Sequence, residues 1–94
     1  MASDFEPSIT DEMRARYLSR RETDFATLES ACAKSDFQMI KAVAHQIKGN
    51  AATFSFLDLE ALAITLEAQA EAQSTAVKTT IEDMKRWLEA KKRA

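Results

Sequence analysis

The sequence predicts an all-α fold, an antiparallel four-helix bundle with an additional short N-terminal helix. Three observations carry this. Much of the 46% hydrophobic set is alanine, with one Gly and one Pro in the chain, a composition that favours helices over sheet. Apolar residues recur at helical steps of three and four. The interruptions between those stretches are short and carry capping residues.

Residues 1–7 read as a loose arm ending at Pro7. Ser8 or Thr10 caps a first helix, with Asp11 and Glu12 in its opening turn and Met13, Tyr17 and Leu18 following. A second helix over residues 22–34 places Phe25, Leu28 and Cys32 on one face. Ser35 with Gln38 three residues later reads as a capping box opening a third helix, and Ser55 with Asp58 repeats that logic before a fourth. The fourth carries Leu59, Leu62, Leu66 and Ala70. After a break at Ser74 and Thr75, the last helix carries Val77, Ile81, Met84 and Leu88. Four main helices of about 15 residues, each roughly 22 Å long, suit one compact domain over residues 1–94. Its core is expected to hold Phe25, Leu28, Ile40, Ile47, Phe54, Leu62, Leu66, Ile81, Met84 and Leu88, with Trp87 at the edge of the apolar stripe.

Charge and cysteine usage narrow the function. A net charge of -2, from 13 basic and 15 acidic side chains, leaves no footprint for nucleic acid. The basic cluster Lys85, Arg86, Lys91, Lys92 and Arg93 reads as cations complementing a helix C-terminus. Cys32 stands alone, so no internal disulfide forms, and one Cys with one His cannot build a structural zinc site. No apolar run approaches the roughly 20 residues of a membrane span, and residues 1–6 lack the features of a signal peptide. The expectation is a cytoplasmic monomer with no membrane or nucleic-acid partner. The initiating Met1 and the lack of a linker lean toward a free-standing chain.

The third helix, residues 36–54, carries the chemistry. Turning 100° per residue with His45 at zero, Ile40, Ala44, Ile47, Ala51 and Phe54 fall between about -100° and -180°. That stripe faces the core, so His45 faces solvent. Lys41, Lys48, Gly49 and Ala52 lie within about 60° of it. Two lysines supply positive charge beside the imidazole, and Gly49 occupies a helix interior where Gly costs about 1 kcal/mol relative to Ala. Ala42 and Ala52 keep the surface low, leaving room for another protein to come down onto the ring.

An isolated imidazole can act as acid, base, metal ligand or nucleophile. Metal binding lacks further ligands beyond carboxylates. A hydrolytic triad needs a Ser or Cys nucleophile and an oxyanion hole, and neither is visible with a single Gly. Lys48-Gly49 is no phosphate-binding loop, because the upstream glycine and the following Ser or Thr are missing. What remains is His45 as a nucleophile toward phosphorus, with Lys48 offsetting phosphoryl charge. The donor must then bring the rest of the machinery.

The stretch Ala44-His45-Gln46-Ile47-Lys48-Gly49-Asn50-Ala51-Ala52-Thr53-Phe54 resembles the signature of histidine-containing phosphotransfer (HPt) domains. That signature is a His, an apolar residue two on, Lys-Gly, small residues and then an aromatic or aliphatic residue. Leu59, Leu62, Leu66 and Glu67 match the family's next helix, and the resemblance covers roughly residues 10–90. It implies a four-helix bundle with an additional N-terminal helix. It also implies that His45 accepts and donates the phosphoryl group, that Lys48 steadies it and that Gly49 gives clearance. The implied partners are response-regulator receiver domains, with a hybrid histidine kinase also in view. The receiver would supply Mg2+ and most of the catalysis, so this chain would be a relay intermediate without a cofactor and not a turnover enzyme.

Gln38, Lys41, Ala52, Ser55 and Phe56 are the candidate partner-facing positions, placed by helical phase or proximity, with the core the preferred place for Phe56. One departure is Ser55, where the family usually has a second Gly; Ser55 is expected to cap the next helix and to narrow the approach or alter receiver preference. A histidine kinase dimerisation helix would follow its His with an acid and later a proline. Gln46, and the absence of Pro beyond Pro7, oppose that. The alternative is a helical module that binds a receiver or kinase without phosphorylation; a scaffold unrelated to signalling would make the His motif a coincidence.

Overall fold

The computed structural model describes residues 9–93, which form α1 (Asp11–Ala33), α2 (Phe37–Thr53), α3 (Leu57–Glu71) and α4 (Val77–Arg93), with no strand among them. The expected arm, residues 1–7, lies outside the described residues. Each helix packs on two neighbours, α1 and α3 each touching α2 and α4, while the diagonal pairs do not meet. Polar pairs fix the directions. Glu22 and Glu29 of α1 reach Lys92 and Lys85 of α4, and Asp58 and Gln69 of α3 reach Lys91 and Thr80. As one helix ascends its neighbour descends, the antiparallel arrangement that short connections impose. No helix among the described residues is long and apolar enough to cross a membrane.

The two N-terminal helices expected from the sequence are one continuous helix, α1, and no separate additional helix stands among the described residues. Thr10 caps it as expected, its hydroxyl accepting from the Met13 N–H at 3.0 Å. At the expected boundary stands Arg21, a charge at a stripe position between Leu18 and Phe25. The structure buries Arg21 there, with its guanidinium carbon 4.3 Å from the Tyr17 ring centroid. A cation laid on an aromatic face keeps the stripe intact, so the helix runs on.

Neither expected capping box forms. Asp36 caps α2, accepting from the Met39 N–H at 3.1 Å, and the N-cap position of α3 is Phe56, with no side-chain cap bond. Ser35 and Ser55 instead end the preceding helices, at φ 53° and 62°, and Gln73 ends α3 at φ 54°. After α2, the Phe56 N–H donates to the Ala51 carbonyl and the Ser55 N–H to that of Ala52, at 2.9 and 3.1 Å. That pairing is a Schellman motif, which favours Gly at the left-handed position. The Ser55 departure is thus a matter of backbone conformation.

Phe25, Leu28, Ile40, Ile47, Leu66, Ile81, Met84 and Leu88 are buried as expected, joined by Trp87. Phe54 and Leu62 are half-buried against that core. Phe56, a candidate for the partner surface with the core preferred, is a core residue and not a partner-facing one. Its ring lies 5.3 Å from Tyr17 and 5.2 Å from Trp87, because the hydrophobic residue closing a Schellman motif folds back onto the helix it ends.

Candidate functional site

The α2 stripe opposite the core is built as its phase demands. Ile40, Val43, Ala44, Ile47 and Ala51 are buried, and on the other side Gln38, Lys41, His45, Gly49 and Ala52 are exposed. Ser55 is exposed just past the helix end. A Cβ added at Gly49 would meet no atom within 4 Å. Internal packing therefore places no demand for glycine there.

The His45 side chain is 68% exposed, yet it is held. Its Nδ1 stands 3.0 Å from Oε2 of Glu67 on α3, while Oε1 of the same carboxylate accepts from Lys48 Nζ at 2.8 Å. An ionised carboxylate can only accept, so Nδ1 carries a proton, and the neutral form of the ring then has its lone pair on Nε2. Lys48, first, and then His45 hold the Glu67 carboxyl below the usual carboxylate range, which keeps that acceptor ionised. One turn earlier Lys41 pairs with Glu71, which raises the lysine above its usual value. The lysines beside His45 are thus matched by acids from α3.

Glu67 is the member that sequence reasoning placed on the next helix without giving it a role. Its signal is positional. His45 lies ten residues before Ser55 and Glu67 twelve after it, so an antiparallel hairpin of helices turning at Ser55 brings them level. The structure gathers His45, Lys48 and Glu67 into one cluster and aligns Gln38, Lys41, Gly49 and Ala52 along the same face. Phe56 is absent from that face. No group of three or more His, Cys, Asp or Glu side chains poised for a metal occurs among the described residues. Chemically, the cluster presents an exposed imidazole engaged at Nδ1, whose neutral form is a nucleophile at Nε2.

A family model described as Hpt domain matches residues 12–93. No curated protein and no solved structure gives a significant match. The matched span contains all four helices but for the first residue of α1, together with the His45 cluster. The chain belongs to the Hpt domain family, the phosphotransfer modules of two-component signalling.

Proposed function

We propose that this chain is a phosphorelay intermediate that accepts a phosphoryl group on His45 from a receiver aspartate or a kinase and passes it to another receiver. The single observation that carries this is the exposed His45 ring held through Nδ1 by Glu67, an arrangement that makes Nε2 the nucleophilic atom of the neutral ring. The Nε2 lone pair forms the N–P bond as the P–O bond of the acyl phosphate breaks, and that electron pair leaves on the aspartate carboxylate. The proton stays on Nδ1, where the Glu67 carboxylate offsets the imidazolium charge.

Lys48, half-buried and one turn away, is placed to exchange its Glu67 contact for a phosphoryl oxygen. Gly49 and Ala52 leave a shallow surface for the partner, while Lys41, Gln38 and Ser55 border it. Exposed Leu57 and Ile64 on α3 extend that surface with apolar area suited to a protein. Catalysis and Mg2+ belong to the receiver, so this chain needs no cofactor and acts as a monomer in the cytoplasm.

Incubation with phosphorylated receiver domains tests the reading. Wild type should gain acid-labile, base-stable phosphate, and His45→Gln should gain none. If no receiver of the source genome transfers, the proposal fails. Equal receiver binding by wild type and His45→Ala, without transfer, would support the phosphorylation-independent module instead.

A further inference from the structure

On the other flank of the His45 face, between α1 and α2, lies a groove of about 310 Å³ lined by Arg16, Arg20, Arg21 and Asn50 above Tyr17 and Phe54. No acidic side chain lines it. The Tyr17 hydroxyl donates to Asn50 Oδ1 at 2.6 Å, which leaves the Asn50 Nδ2 protons free to donate. The Arg21 side chain is only 8% exposed, and its Nε makes no hydrogen bond. Asp24 Oδ2 stands 2.9 Å away but out of line for one. Arg20 makes no ion pair among the described residues, and the Glu12 partner of Arg16 is 82% exposed, so that pair is weak.

The two flanks therefore differ. Toward α3 each lysine faces an acid; toward α1 the concavity offers donors and three arginines whose acidic partners, Glu12 for Arg16 and Asp24 for Arg21, stand outside its lining. Keeping a guanidinium buried without a full set of partners is costly, and such a site gains most from a carboxylate or another oxyanion. Asn50 is five residues beyond His45 on the same helix, about 7.5 Å along its axis. A protein seated over His45 covers the groove where its footprint extends toward α1.

We infer that the Arg20–Arg21–Asn50 groove takes an Asp or Glu side chain of the protein that exchanges phosphoryl with His45, an acidic foothold that selects the partner. This rests on the phosphotransfer reading above. The test is steady-state transfer from the phosphorylated receiver that donates best to wild type, with Arg20→Ala, Arg20→Glu and, on α4 diagonal to α2, Lys78→Glu as control. Labelling by phosphoramidate, a donor too small to span the groove, reports His45 reactivity alone.

Arg20→Glu should raise KM about tenfold at unchanged kcat and Arg20→Ala about threefold, both differences shrinking at about 0.5 M salt. Phosphoramidate labelling should be equal in all four proteins. An unaltered KM in Arg20→Glu overturns the inference, as does an equal rise in Lys78→Glu. Competition by millimolar inorganic phosphate in wild type but not in Arg20→Glu would reassign the groove to a free anion and also overturn it. Labelling by phosphoramidate but by no receiver would overturn the phosphotransfer reading, and this inference with it.

Discussion

Gly49→Ala separates stability from function at one atom. Gly49 lies inside α2, where alanine is favoured by about 1 kcal/mol through backbone entropy alone. The added methyl meets nothing within 4 Å, so no clash offsets that gain. The variant should be more stable by about 0.5–1 kcal/mol, a Tm rise of roughly 2–8 °C for a domain of this size. Thermal unfolding followed by circular dichroism, with a urea titration at constant m, measures it. The same methyl stands one turn from His45 on the face proposed to receive the partner. Transfer from a receiver should slow several-fold, while phosphoramidate labelling is unchanged. A destabilised variant would mean that the glycine answers an internal demand, refuting the packing argument. A stabilised variant with full transfer would refute clearance as the reason for Gly49.

Four further outcomes rest on the same geometry. Glu67→Ala should release the His45 ring into a mixture of tautomers, read by 15N chemical shifts, and slow phosphoramidate labelling; Glu67→Gln, which can still accept from Nδ1, should restore most of the rate. Because the folded Glu67 carboxyl sits below its unfolded value, its contribution is present above that unfolded value and lost as pH falls through the folded one. The acid-induced fall in urea midpoint should therefore be smaller in Glu67→Gln than in wild type. Ser55→Gly relieves a left-handed residue at φ 62° and should stabilise the protein by about 1 kcal/mol in thermal melts. Tyr17→Phe removes the 2.6 Å bond to Asn50 and should cost about 1 kcal/mol in the same assay.

The sequence by itself determined the all-α class, the cores of the helices and the outward direction of His45. These follow from the 3.6-residue period, which is local and legible in one chain. The Lys-Gly signature after His45 pointed to the family on the same local terms. Only the tertiary structure decided which residues of separate helices meet. Glu67 reaches Nδ1 because the register of α2 against α3 is set by core packing distributed over both helices. That α1 is one helix, with Arg21 buried against the Tyr17 ring, is visible only in the structure. Phe56 turned inward and Ser55 adopted a left-handed backbone because closing α2 required both, a demand of the helix end that neither residue type announces.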